Sequence, residues 1–199
     1  MSLVFFDEAM SLVFFDLETG GLDFQHPNIQ LAAVAVDNEF NELETFEAKI
    51  KFDVAACDPI ALEKNSYEES AWRGAESEGL VAKGFAGFLS EHKCIQMVSN
   101  KTGRPYWVAR LAGHNVTKFD GPRLKEMFKR HGLFLPAHPA ALDTTQLALW
   151  KYQRLGKPLA SFRLTELCKL LDIPVIDAHD ALGDVRMNVK VAKRLLLGK

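Results

Sequence analysis

The sequence lacks the features of a disulfide-rich, secreted or membrane-spanning protein. Its 199 residues include only three cysteines, Cys57, Cys94 and Cys168, which lie far apart and have no spacing typical of a metal site. No apolar run approaches the ~20 residues that a membrane-spanning helix needs. The apolar stretch at residues 2–6 is too short for a secretory signal and has no basic flank. We therefore expect reduced thiols, no membrane contact and a cytoplasmic location.

The chain also has little net charge, −2, which alone argues against a simple polyanion-binding protein. The charges are unevenly divided, however. Residues 1–99 contain 6 Lys/Arg and 18 Asp/Glu, whereas residues 100–199 contain 18 and 8. We expect phosphate contacts in the basic half, although solvated helix faces account for at least half of its cations. The cations around one acidic motif of that half are Lys101, Arg104, Arg110, Lys118, Arg123, Lys125, Lys129 and Arg130.

The composition is that of an ordinary globular domain, with 48% hydrophobic and 25% charged residues. The hexapeptide at residues 2–7 recurs unchanged at residues 11–16, with Met10 directly before the second copy. Only the second copy continues to a Glu two residues after its Asp. We therefore interpret residues 1–10 as a cloning scar or an extended start, and residues 11–199 as one domain.

Apolar patterning predicts an α/β fold in which strands come first and then alternate with helices. The first three strands are expected to form an antiparallel meander, and a hairpin is expected around residues 94–110. The predicted strands cover 12–16, 29–36, 43–50, 94–98, 106–111 and 141–143. The predicted helices cover 66–72, 79–92 and 122–132, then a helix capped by Ser161 and stopped before Pro174, and a last helix over 182–196.

Two acids end the first predicted strand, in Phe14-Phe15-Asp16-Leu17-Glu18-Thr19-Gly20-Gly21. Residues two apart on a strand face the same side, so Asp16 and Glu18 can reach one site while Leu17 points into the core. Acids in such a place are costly to bury without cations or hydrogen-bond donors. A solvated strand end is the alternative interpretation.

Two more acids lie in the segments His114-Asn115-Val116-Thr117-Lys118-Phe119-Asp120 and His179-Asp180-Ala181-Leu182-Gly183-Asp184. Taken alone, Asp120 is equally well explained as a helix N-cap, and Asp184 as a solvated helix residue. Asp180 is the better N-cap candidate for the last helix, which leaves Asp184 without a capping role. The combination of the motifs, rather than any one of them, indicates a site.

His179 adds a group that can accept and release a proton near neutral pH. A lone histidine is more often a surface residue, but this one lies close in sequence to an acid of a four-carboxylate set. Four carboxylates gathered by the fold would repel one another unless divalent cations lie between them. The set therefore indicates a two-metal phosphodiesterase.

Together the three segments resemble exonuclease motifs I, II and III of the DEDDh branch of the 3′–5′ exonucleases, a family with the ribonuclease-H-like fold. Asp16 and Glu18 match motif I, Asp120 matches motif II, and His179 with Asp184 matches motif III. The residues around Asp120, and Ser161-Phe162-Arg163-Leu164, are more similar to three-prime repair exonucleases and exonuclease I than to the proofreading subunit of bacterial replicative polymerase. The hairpin around 94–110 has no match in the family pattern and is expected to be an insertion.

The resemblance implies a mixed five-stranded sheet, an antiparallel meander plus parallel strands, flanked by helices. It implies that Asp16, Glu18, Asp120 and Asp184 hold two Mg²⁺ or Mn²⁺ ions. It also implies that His179 is the general base that takes a proton from a metal-bound water. The activity would be a 3′–5′ exonuclease that releases nucleoside 5′-monophosphates.

For the substrate, the resemblance implies contacts from Thr19 and from Leu22, which would lie against the terminal base. Leu22 in the ordinary core is the alternative. Asn115 is expected to touch the strand or to brace the motif II turn, and Lys118 is the candidate phosphate contact.

The expected substrate is a single-stranded 3′ end, of DNA in the first instance. The alternatives are an oligoribonuclease or RNA-trimming exoribonuclease, a proofreading module of a polymerase complex, and a degenerate, non-catalytic member of the family. Since several branches of the family act as dimers, both a homodimer and a monomer stay open.

Overall fold

The computed structural model describes residues 11–175 and 180–198. The predicted scar at residues 1–10 and the predicted base, His179, therefore lie outside the described residues. Among the helices that are described, none is both long enough and apolar enough to cross a membrane.

The centre of the described fold is a mixed β-sheet. Its strands are β1 (Leu12–Thr19), β2 (Asn28–Val36), β3 (Glu42–Lys49), β4 (Lys93–Val98), β5 (Pro105–Gly113) and β6 (Leu142–Asp143). β1 and β2 pair antiparallel, as do β2 and β3, which is the predicted meander. β1 then runs parallel to β5, and β5 parallel to β6. Apart from β4, these strands form a five-stranded mixed sheet in the order β3-β2-β1-β5-β6. This sheet confirms the predicted fold class.

A hairpin is built onto this sheet where the sequence predicted one. β4 pairs antiparallel with the N-terminal half of β5, whereas β6 pairs with the C-terminal end of β5. That the hairpin is an insertion relative to the family stays a prediction.

Helices cover the sheet. In the described part of the chain they are α1 (Pro59–Lys64), α2 (Glu78–Glu91), α3 (Asp120–Arg130), α4 (Thr144–Arg154), α5 (Leu164–Leu170) and α6 (Ala181–Leu197). The helix predicted over 66–72 is wrong, since only a 3₁₀ turn forms there, at Glu69–Trp72. α1 and α4 were not predicted. The predicted Ser161 cap is also wrong, because α5 begins after Arg163.

Alternation along β1 fixes which layer each side chain meets. Phe15 and Leu17 are buried in the cluster that includes Phe85 of α2 and Phe128 of α3. Phe14 is buried on the other face, in the cluster that includes Val185 of α6. Burying a side chain of this size stabilises a fold by about 1.5–3 kcal/mol. Asp16 and Glu18 alternate with Leu17 and share the face of Phe14, so they point towards α6.

Candidate active site

Three carboxylates meet at the C-terminal end of β1. One ligand oxygen from each of Asp16, Glu18 and Asp184 lies within 4.8 Å of the others. Asp16 and Glu18 come from the face of β1 that packs on α6, and Asp184 lies in the first turn of α6. That helix begins after Asp180, whose side chain caps it by accepting a hydrogen bond from the Gly183 N–H. The fold thus joins two segments that are more than 160 residues apart in sequence.

Asp120 is added to this group by α3. The helix N-cap is Phe119, so Asp120 is the first helical residue rather than the cap. Its side chain is buried, and its Oδ1 accepts a hydrogen bond from the backbone N–H of Leu17 at 3.3 Å. The carboxylate of motif II is therefore held against the backbone between the two acids of motif I. All four acids line one open cleft of about 570 Å³.

Burial and mutual repulsion raise the pKa values of these acids. Burial raises the pKa of Asp16 well above its usual range, and the charges of Asp120 and Glu18 raise it further. Burial also raises the pKa of Glu18 to about 7, where the charge of Asp184 adds to the effect and that of Lys64 opposes it. The pKa of Asp120 rises to about 7 through burial, although the Leu17 N–H favours its ionised form. Positive charge placed among these carboxylates would offset their mutual repulsion and favour their ionised forms.

The donor set suits hard divalent cations. The described members of the group are all carboxylates, and carboxylate oxygens are the ligands that Mg²⁺ and Mn²⁺ prefer. The acids lie on β1, α3 and α6. Regular secondary structure therefore places their side chains, and no loop has to become ordered before ions bind. The residues present therefore fit the metal site that the sequence predicted, and the role of each ligand stays a prediction.

His114 joins three segments beside the cleft. Its Nε2 lies 2.8 Å from the Phe162 carbonyl oxygen, and its Nδ1 lies 3.0 Å from the Thr144 hydroxyl oxygen. A carbonyl can only accept, so Nε2 carries a proton. Burial lowers the pKa of His114, which favours the neutral ring. The Thr144 hydroxyl oxygen also lies 2.7 Å from Oδ1 of Asn188 on α6, so the contact network of His114 reaches that helix.

Asn115 braces the motif II turn. Its φ is +56°, a left-handed conformation that asparagine tolerates better than most residues. Its backbone N–H donates to Oδ1 of Asp143 at 3.0 Å. Its exposed side chain also lines the cleft, so the position is compatible with a strand contact as well.

The other predicted substrate residues lie in different places. Thr19 is buried, and its hydroxyl donates to the Gly21 carbonyl at 2.9 Å. Leu22 lines the cleft with 86% of its surface exposed, so the alternative that it belongs to the core is wrong. Lys118 is exposed and does not belong to the described lining of the cleft.

Sequence reasoning missed part of the cleft wall. Lys64 and Asn65, at the C-terminal end of α1, line the cleft, and the Asn65 side chain donates to the Thr19 carbonyl at 3.0 Å. A signal for α1 was present. Asp58 followed by Pro59 is a helix start, and the Asp58 carboxylate accepts from the Ile60 N–H at 2.9 Å. The exposed Arg163 also lines the cleft.

Several basic residues near motif II have partners within the protein. Arg130 pairs with Glu78 at 2.7 Å, and Arg110 donates to the Ala140 carbonyl at 2.7 Å. Arg123 is buried and is therefore not among the cations available to phosphate. The cations that remain for a nucleic acid at the described cleft are Lys64 and Arg163.

Sequence comparison agrees with this site. Residues 107–192, which include Asp120 and Asp184, match the RNase T exonuclease family model. Protein NEN4 of Arabidopsis thaliana is 28% identical over 186 residues, which cover 92% of this chain and 65% of NEN4. Protein NEN3 of the same plant is 35% identical over 82 residues, or 41% of this chain and 15% of NEN3.

Structure comparison finds the same fold in exonuclease I. The product-bound structure of exonuclease I matches with a TM-score of 0.73 at 22% identity, over 96% of this chain and 44% of that one. E. coli exonuclease I in complex with a dT13 oligonucleotide matches with a TM-score of 0.70 at 23% identity, over 92% and 40%. The chain thus spans less than half the length of these exonuclease I chains.

Proposed function

We propose that this chain is a member of the RNase T exonuclease family, whose model matches residues 107–192, and that it hydrolyses single-stranded DNA from its 3′ end and releases nucleoside 5′-monophosphates. The observation that carries the proposal is the convergence of Asp16, Glu18 and Asp184 within 4.8 Å, beside the buried Asp120. Such a cluster is costly in a fold with no use for cations. DNA is favoured because the exonuclease I structures that share the fold include complexes with dT13 and dA16 oligonucleotides.

The four carboxylates would hold two Mg²⁺ or Mn²⁺ ions. Bound ions of this kind supply the positive charge that activates an attacking water and offsets charge on the departing oxygen. The chain contributes the placement of the ligands. Asp16 is repelled by Asp120, Glu18 and Asp184, so its pKa depends on all three. Asp16 would hold the ions together with these three neighbours.

His179 is the proposed general base. Its chain neighbour Asp180 is fixed by a hydrogen bond from the Gln30 side chain at 3.2 Å and by its capping bond from the Gly183 N–H at 3.1 Å. In the reaction the imidazole takes a proton from water as the water oxygen bonds to phosphorus. The bond from phosphorus to the 3′ oxygen of the remaining strand breaks, that oxygen takes up a proton from solvent to become a hydroxyl, and the phosphate leaves on the 5′ oxygen of the released nucleotide.

The strand would pass between the walls of the cleft. Lys64 and Arg163 are exposed cations in its lining and are suited to the phosphates next to the scissile one. The cleft is open to solvent and its 570 Å³ is comparable to a typical small-ligand site of roughly 300–1,000 Å³. That size suits one terminal nucleotide.

Product analysis on 5′-labelled oligonucleotides tests the proposal. Purified protein would be given single-stranded DNA, duplex DNA and RNA of one sequence, with Mg²⁺, Mn²⁺ or EDTA. We expect single-stranded DNA to shorten from its 3′ end with either ion, to yield 5′-monophosphates, and to stay intact in EDTA. Asp184→Asn is the matched inactive control. Faster shortening of RNA would support the exoribonuclease alternative, and intact substrates under every condition would support a non-catalytic member.

A further inference from the structure

Arg123 is buried at the back of the loop that joins β1 to β2. Its exposed fraction is 3%, which is rare for a charged side chain. Its guanidinium donates to four backbone carbonyls of that loop. The acceptors are His26 at 3.1 Å from Nη1, and Gly21 at 3.0 Å, Leu22 at 3.0 Å and Asp23 at 2.6 Å from Nη2.

Two aromatic rings enclose the same guanidinium. Its central carbon lies 4.7 Å from the Phe119 ring centroid and 5.3 Å from that of Phe24. Aromatic faces attract a cation of this kind and shield its hydrogen bonds from water. Arg123 is thus at once the donor to the loop and the centre of its packing.

The loop, residues 20–27, has few backbone bonds of its own. Within it, the Gly20 N–H donates to the Pro27 carbonyl at 2.8 Å and the His26 N–H donates to the Asp23 carbonyl at 3.0 Å. The carbonyls of Gly21, Leu22 and Asp23 accept hydrogen bonds from the Arg123 guanidinium, where those of a strand would accept from a neighbouring strand. The guanidinium fork reaches His26 from one nitrogen and the other three carbonyls from a second, and a lysine ammonium has only one nitrogen to offer.

Leu22 lies at the tip of this loop. Its carbonyl is one of the four acceptors, while its side chain extends into the cleft with 86% of its surface exposed. Arg123 lies one turn after Asp120 in α3. The first turn of one helix therefore places both an acid of the cleft and the loop that carries Leu22.

We propose that Arg123 is a positioning residue that fixes Leu22 over the acidic cleft and so determines how tightly the terminal nucleotide is held. The inference rests on the proposed function, since it gives Leu22 a nucleotide to contact. A substitution that removes the guanidinium removes its hydrogen bonds to the loop, so the loop is held less firmly. The acids stay in place, because they lie on β1, α3 and α6. The effect should therefore fall on KM and not on kcat.

Steady-state kinetics on single-stranded DNA test this with Arg123→Lys, Leu22→Ala and the double variant. Arg123→Lys retains the charge and removes the fork. We expect each single variant to raise KM about tenfold with kcat within about threefold, and the double variant to match the larger single effect. Lys125→Gln, which removes an exposed charge from the same helix, is the control and should leave KM unchanged. An unchanged KM in Arg123→Lys, or a double effect near a hundredfold, overturns the proposal.

Amide hydrogen exchange provides a readout that needs no activity. In Arg123→Lys we expect the amides of Gly20 and His26, which donate within the loop, to exchange at least about tenfold faster, with β1 and α6 unchanged. If the wild-type chain degrades no nucleic acid, the proposed function fails, while this measurement still tests the link from Arg123 to the loop. If Arg123→Lys does not fold, Phe24→Ala replaces it. We then expect faster exchange at Gly20 and His26, and unchanged exchange there overturns the proposal.

Discussion

The backbone N–H of Leu17 donates to Oδ1 of Asp120 at 3.3 Å, across 103 residues of sequence. β1 pairs with β5 only from Leu12 to Phe14, so the last part of β1 lacks that neighbour. The side chain of Asp120 takes the place of the missing strand. The carboxylate of motif II therefore lies at the point where β1 and β5 separate and the cleft begins.

Asp120→Asn and Asp120→Ala should both abolish exonuclease activity, but they should differ in stability. Asparagine retains an oxygen that can accept from the Leu17 N–H, whereas alanine leaves that buried donor unpaired. An unpaired buried group costs about 1–3 kcal/mol, so we expect the alanine variant to unfold at lower urea concentration than the asparagine variant. Equal midpoints would show that the hydrogen bond contributes nothing to folding.

The metal-free protein should lose stability as the pH rises. Burial raises the pKa of Glu18 from its ordinary 4.5 to about 7, and that of Asp120 to about 7. The folded chain therefore binds more protons than the unfolded chain between these values. This contribution is complete below the unfolded pKa and is lost as the pH passes through about 7. In EDTA we expect the melting temperature to fall from pH 5 to pH 8, and Glu18→Gln to flatten the profile.

Divalent ions should reverse this trend. Mg²⁺ and protons compete for the same oxygens, so Mg²⁺ should raise the melting temperature strongly at pH 8 and weakly at pH 5. Thermal melts at both pH values measure the difference. They are recorded without Mg²⁺ and with Mg²⁺ at ~10 mM, a large excess over the protein. Asp16→Asn serves as the control and should lose most of the gain. A gain that persists in this variant would place the ions elsewhere.

His179→Ala should cut turnover by ~10²–10⁴-fold, the usual weight of a general base. Ion binding, followed by calorimetry with Mn²⁺, should be largely retained because the carboxylates stay in place. His131→Ala is a suitable control, since His131 pairs with Glu78 at 2.9 Å and is not part of the cleft lining. Near-normal turnover in the His179 variant would remove this residue from the mechanism.

Lys64→Gln should weaken substrate binding more than it slows the chemistry. Lys64 lines the cleft and its charge lowers the pKa of Glu18, so it lies close to the acids that would hold the ions. We expect a higher KM and a shallower dependence of log KM on log salt, by about one unit of slope. Lys129→Gln removes an exposed charge that pairs with Glu126 and should change neither quantity.

Most of the sheet could be predicted from the sequence because its strands are apolar and bounded by turn residues. The pairing of Asp16 with Glu18 followed from the strand period alone. α4 could not be predicted in this way. It begins Thr144-Thr145, and β-branched residues are weak helix formers, although Asp143 before them caps the helix by accepting from the Thr145 N–H.

The role of Arg123 could not be predicted at all. Its acceptors are backbone carbonyls about 100 residues away, and a carbonyl has no residue identity for a pattern to detect. The sequence therefore placed Arg123 with the solvent-facing cations around motif II. Lys64 was missed for a related reason, because α1 is short and its closeness to Glu18 arises only in the folded chain.

The strand that carries Asp16 and Glu18 is paired with β2 along its length, whereas Lys64 and Arg163 stand at the ends of the short helices α1 and α5. The acids and the cations of the cleft thus stand on separate parts of the fold. Replacing Lys64 or Arg163 should therefore leave the acids in place. Divergence within this lineage should accordingly accumulate along the margins of the cleft while its floor is preserved.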